Sequence, residues 1–107
     1  MTLSTGYKKL RTAVFISGKG SNLNSLIKFS KLKKSPITVE IIFSNNLKAK
    51  GLNFGKTYKI KRKIFDFKKK NLAERKILSE LKRNKIKLIC LAGFMKILSN
   101  TFIKNFK

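Results

Sequence analysis

Apolar residues fall in short runs along this chain, each closed by a polar break and followed by apolar residues at helical spacing. Thr12-Ala-Val-Phe-Ile-Ser17 reads as a buried strand. Gly18 to Ser21 breaks it, and Leu23, Leu26 and Ile27 then share one helix face. Ile37 to Phe43 is rich in β-branched residues, follows Pro36 and predicts a second strand, closed by Ser44-Asn45-Asn46. Ala49 to Lys56 is a weaker helix interrupted by Gly51 and Gly55, and Thr57 to Arg62 predicts a short third strand. The clearest helix follows. Asn71 is placed to cap it, with Glu74 three positions on in a capping-box arrangement, and Ala73, Ile77, Leu78 and Leu81 line one face up to a stop at Asn84. Lys87 to Ala92 is a fourth strand, and its unbroken apolar run predicts burial on both faces. Gly93-Phe94-Met95 ends that strand. Phe102, Ile103 and Phe106 then open another helix, capped by Ser99 or Asn100.

This alternation is βαβαβαβα, the pattern of a doubly wound α/β domain on a mainly parallel sheet. The domain is expected over residues 12–107, preceded by a short basic lead-in over residues 1–11. Open sheets of this kind bind ligands at the carboxyl ends of their strands. Functional residues are therefore expected just after Ile16, Phe43, Arg62 and Ala92.

Composition narrows the chemistry. The 107 residues contain no His, which excludes a His base, a His metal ligand and any Ser-His or Cys-His pair within the chain. A single Cys, Cys90, excludes an internal disulfide and a Cys-rich zinc site, so no metal is expected and a reducing, cytoplasmic setting is. No apolar run approaches the roughly 20 residues of a membrane span, and the first eleven residues lack the apolar stretch of a signal peptide. The formal net charge of +23 points to anionic partners. Lys outnumbers Arg 23 to 4, however, and the lysines are scattered. AT-rich codons produce that bias without selection for nucleic acid, and Arg is the better residue for bidentate phosphate and base recognition. Nucleic-acid binding is therefore not the expected function. A small basic module that binds RNA or other polyanions remains the alternative.

Two turns carry candidate chemistry. In Ser17-Gly18-Lys19-Gly20-Ser21-Asn22-Leu23, two glycines allow close approach to the backbone, and the helix that follows offers unpaired N–H groups to a phosphate or carboxylate. The plain alternative is a tight turn with Ser21 as the helix cap. The spacing is not that of a P-loop. It departs from the dinucleotide fingerprint at Leu23, and Ser44-Asn45 stands where an acid would hold ribose, so NAD is not expected. The second turn, Leu91-Ala-Gly-Phe-Met-Lys-Ile-Leu-Ser99, places Phe94, Met95, Ile97 and Leu98 where they either line a slot for a flat ring or continue the core.

Taken together, Ile16-Ser-Gly-Lys-Gly-Ser-Asn-Leu23, Phe43-Ser-Asn45 and Ala92-Gly-Phe-Met-Lys-Ile-Leu-Ser99 resemble the phosphoribosylglycinamide formyltransferase family, in order and from about Arg11 to Lys107. The resemblance implies a Rossmann-like formyltransferase fold. It implies transfer of a formyl group from 10-formyltetrahydrofolate to the amine of glycinamide ribonucleotide, in purine biosynthesis. By that likeness Gly20, Ser21 and Asn22 hold the substrate phosphate, and Met95, Lys96, Ile97 and Leu98 bound the folate pocket. A folate-contacting Arg of the family falls near Lys68 to Lys70, with Lys70 the candidate here. The family's catalytic Asn-x-His-Pro-Ser motif and its later Asp are not among these residues. The resemblance thus implies the amino-terminal half of a truncated formyltransferase, with no catalytic residue in this chain and no activity alone.

Overall fold

The computed structural model describes residues 9–106. Four parallel strands, β1 (Leu10–Ile16), β2 (Ile37–Ser44), β3 (Lys61–Ile64) and β4 (Leu88–Leu91), form one sheet in the order β3-β2-β1-β4. Helices α1 (Ser21–Ser30), α2 (Leu52–Thr57), α3 (Lys70–Arg83) and α4 (Asn100–Asn105) complete the alternation. The chain steps from β1 to β2 to β3, then returns to the other side of β1. Crossovers of a single hand then place α1 and α2 on one face and α3 on the other. The doubly wound architecture is as expected.

The packing follows from strand periodicity. On β1, Val14 and Ile16 point to the α1/α2 face, where they meet Leu23, Ile27 and Leu52. Ala13 and Phe15 point to the α3/α4 face, against Ile77, Leu81 and Phe102. The pairing of β1 with β2 slips by one residue, from Thr12↔Val39 to Ala13↔Ile41. That bulge lets Val39 and Ile42, three residues apart, serve the same face. Phe15 lies at the centre of an aromatic cluster. Its ring meets Phe43 at 5.0 Å, Phe94 at 5.3 Å and Phe102 at 6.5 Å between centroids, all edge to face.

Several local expectations are corrected. β1 starts at Leu10, within the expected lead-in over residues 1–11 and paired to Ile37, and the Lys9 ammonium donates to the carbonyls of Ser30 and Leu32. The rest of that lead-in, residues 1–8, lies outside the described residues. The third strand is displaced to Lys61–Ile64 because α2 runs on through Thr57 and the chain reverses at Lys59, in the left-handed region at φ 58°. α2 itself begins only at Leu52, because Gly51 donates its N–H to the Gly18 carbonyl. The Asn71–Glu74 capping box does not form. Lys69 occupies the cap position of α3 without a side-chain cap, and Glu74 is turned inward to Ser99. Ser99 caps α4 by accepting from the Phe102 N–H, one of the two expected options. β4 is half-buried, with Leu91 exposed, because among the described residues it pairs only with β1 and forms a sheet edge.

Two outcomes check this packing. Phe15→Ala is expected to cost about 3–5 kcal/mol in urea unfolding, whereas Phe29→Ala at a half-exposed position costs far less. Burial pushes the Cys90 thiol above its ordinary value, because desolvation disfavours the thiolate. At pH 8 iodoacetamide should therefore modify Cys90 more slowly than it modifies a small-molecule thiol, and the rate should keep rising above pH 9.

Candidate functional site

Sheet order reverses across the β1–β4 pair, so the crevice favoured for ligands lies between the turn after β1 and the loop after β4. The turn after β1 is shaped by glycine. Gly20 takes φ 76°, and a Cβ there would stand 2.6 Å from the Cα of Gly51. A Cβ on Gly51 would in turn meet the Ile16 Cδ1 at 2.7 Å and the Gly20 Cα at 2.9 Å. Gly20 is thus held by conformation and by backbone packing against the entry of α2. Gly18 is different: nothing lies within 4 Å of its missing side chain.

Gly20, and not Ser21, occupies the cap position of α1. The first backbone bond of the helix runs from the Asn24 N–H to the Gly20 carbonyl, at 2.9 Å. The amides of Ser21, Asn22 and Leu23 precede that bond, no side chain caps them, and no acid stands in the first turn. Ser21 and Asn22 are exposed, beside exposed Lys19. The arrangement is an open N-terminus with positive dipole and donors facing outward, suited to a phosphate.

The loop over residues 92–99 forms the facing wall. It starts on the sheet, where the Ala92 N–H donates to the Phe15 carbonyl at 2.9 Å. Gly93 takes φ 76° with open space around its missing Cβ. The two alternatives for the apolar residues divide along the loop. Phe94 and Leu98 pack on the core, Phe94 against Phe15 and Phe67, while Met95 and Ile97 stand 79% and 81% exposed with Lys96 between them. Lys70 is the first residue of α3, just past Phe67–Lys69. The Phe67 ring reaches Phe94 at 5.5 Å, which brings that segment beside the loop, but the hydrogen bonds of the described residues do not tie Lys70 to it.

Ser17 escaped the sequence analysis as a functional residue. Its hydroxyl accepts from the Met95 N–H at 2.8 Å and donates to the Asn45 Oδ1 at 2.5 Å, while Asn46 Nδ2 donates to the Ser17 carbonyl at 3.4 Å. One side chain therefore ties together the loops that follow β1, β2 and β4. The signal available was a hydroxyl at the carboxyl end of a strand. Its partner 78 residues away has no local trace.

The four carboxylates of the chain are each engaged. Glu40 pairs with Arg11 and bonds Thr38, Asp66 accepts the Lys68 N–H, Glu74 accepts from Ser99, and Glu80 lies near Lys63 and Arg83. Among the described residues no group of His, Cys, Asp and Glu could hold a metal ion, and no helix is long and apolar enough to cross a membrane. A groove of about 810 Å³ lies near the start of β4, lined by Leu78, Lys82, Ile86 and Phe106, away from the crevice.

Fold and crevice define a doubly wound α/β protein with an uncapped helix N-terminus at the switch point. Residues 10–107 match the family model described as formyl transferase, and the chain belongs to that family. It is 38% identical over 100 residues to the human trifunctional purine biosynthetic protein adenosine-3, covering 91% of this chain and 10% of that protein. It is 32% identical over 102 residues to phosphoribosylglycinamide formyltransferase of Escherichia coli, covering 91% and 47%. The solved phosphoribosylglycinamide formyltransferase from Brucella melitensis superposes with a TM-score of 0.88 at 35% identity, over 94% of this chain and 54% of that one. The chain thus spans about half the length of these single-function relatives and a tenth of the trifunctional one.

The glycine geometry gives a direct check. Gly20→Ala is expected to destabilise by about 2–4 kcal/mol, through the left-handed conformation and the overpacked contact with Gly51. Gly18→Ala should stay within about 1 kcal/mol of the parent in the same denaturation experiment.

Proposed function

We propose that this chain forms the glycinamide ribonucleotide and 10-formyltetrahydrofolate sites of a formyl transfer reaction in purine biosynthesis. The observation that carries the reading is the switch-point crevice. The uncapped N-terminus of α1 forms one wall, the exposed segment Met95–Ile97 forms the other, and the Ser17–Met95 bond joins them.

In this reading the ribonucleotide phosphate sits on the amides of Ser21 and Asn22, with Gly20 shaping the approach. The folate ring lies along residues 95–98, flanked by Met95 and Ile97, with backbone groups of the loop reading its polar edge and Leu98 anchoring the segment to the core. Lys96 and Lys70 supply positive charge toward the folate carboxylates. The two walls bring the amine of one substrate toward the formyl carbon of the other, and that proximity is the chain's contribution to rate. The attack creates an oxyanion and leaves a proton on the amine. Both need partners at the crevice. This chain contains no His, and its four carboxylates are engaged elsewhere. The 107-residue chain is therefore expected to bind both substrates and to transfer no formyl group.

The polyanion reading finds less support. Stacking on RNA bases needs several exposed rings, whereas Phe15, Phe43 and Phe102 are buried, Phe54, Phe65, Phe67, Phe94 and Phe106 pack against the core, and Phe29 alone of the nine is largely exposed, at 44%. Titration calorimetry with glycinamide ribonucleotide and with a reduced folate tests the proposal. Asn22→Asp separates the phosphate site from helix stability. An acid in the first turn should raise stability by about 0.3–1 kcal/mol, yet weaken ribonucleotide binding about tenfold or more by charge repulsion. Unchanged ribonucleotide affinity, or tight sequence-selective RNA binding that survives about 0.3 M salt, would sink the reading.

A further inference from the structure

Glu74 is a buried group that the proposed chemistry leaves unused. It is a carboxylate in the middle of α3, only 5% exposed, and no ion pair is formed with it among the described residues. Burying such a group is costly unless its oxygens are satisfied. Both are satisfied by one residue: the Ser99 N–H donates to Oε2 at 2.8 Å and the Ser99 hydroxyl donates to Oε1 at 2.6 Å. The same hydroxyl accepts from the Phe102 N–H at 3.0 Å and so caps α4. Ser99 is the residue at which the 92–99 loop ends.

We propose that Glu74 is a positioning residue for the folate side of the crevice, holding the far end of the 93–98 segment through Ser99 while Ser17 holds its near end through Met95. The inference rests on the proposed function for its ligand. The segment between the two anchors carries the exposed residues Met95, Lys96 and Ile97 and contributes little core contact of its own. Its shape therefore depends on where its ends are held. Phe94 and Leu98 supply apolar anchorage, which tolerates sliding. The paired hydrogen bonds to Glu74 set direction as well as distance. Both contacts are donated by Ser99, so the site demands two acceptors. A carboxylate supplies them, and an amide supplies one and brings an N–H₂ against a donor.

The test is made on the 107-residue chain with Glu74→Gln, Ser99→Ala and Ser99→Thr. Titration with tetrahydrofolate and with ribose 5-phosphate is combined with amide hydrogen exchange in the ligand-free state. Glu74→Gln and Ser99→Ala should each weaken tetrahydrofolate about tenfold, the equivalent of one charge-assisted hydrogen bond, and leave ribose 5-phosphate within twofold. Exchange should quicken at residues 95–99 and not in β1 or β2. Ser99→Thr, which keeps the hydroxyl, should restore parental folate affinity. Parental folate affinity in Glu74→Gln overturns the positioning role alone. Equal loss of both ligands, or faster exchange throughout the sheet, reduces Glu74 to a general stabilising residue and also overturns it. A parent chain that binds no folate overturns the proposed function and this inference together.

Discussion

Strand β1 is hydrogen-bonded along both edges and buried on both faces, and that double demand organises the molecule. Its edges are taken by β2 and β4, so the sheet must grow to either side of it. Its faces carry Val14 and Ile16 on one side and Ala13 and Phe15 on the other, so each needs its own helical layer. Growth to both sides creates the switch point, and the switch point creates the crevice. The turns that line the crevice are thus a consequence of how one seven-residue strand is satisfied. Phe15 joins the two tasks, since the ring that centres the α3/α4 core also supports Phe94 at the base of the facing loop.

Within the crevice the walls are held by a few polar contacts over an apolar foundation. Gly20 and Gly51 approach closely enough that neither can carry a side chain, which fixes the entry to α1 against the entry to α2. Ser17 links the turn after β1 to the loops after β2 and β4. Glu74 and Ser99 secure the far end of the last loop and the start of α4. Hydrophobic burial sets which elements meet and is largely indifferent to small displacements. Hydrogen bonds of defined length then settle the position of loops that bury too little to settle themselves. The high positive charge enters mainly as background to this arrangement. The few carboxylates are used locally, three of them in contact with cations or a helical cap and one enclosed with Ser99.

The alternation of strands and helices, the parallel doubly wound sheet, the family and the two turns that face the crevice are all legible along the chain. Those features are written in local periodicity, in glycine placement and in contiguous motifs such as Ser17 to Asn22 and Ala92 to Ser99. The contacts that individual residues make there arise on folding. Glu74 looks like half of a capping box because the local spacing permits one, yet Ser99 from another element offers two donors and captures it. Gly20 reads as room for a ligand, whereas its closest constraint is Gly51, 31 residues on. Ser21 has the chemistry of a cap, but Gly20 in the left-handed region already takes that place. β4 reads as an interior strand from its composition and stands at an edge among the described residues, because burial depends on neighbours that a local pattern does not specify. For Glu74, Gly20 and β4 the deciding partner is distant in sequence. Local pattern records which contacts a residue is able to make, and only the folded chain selects which of them it makes.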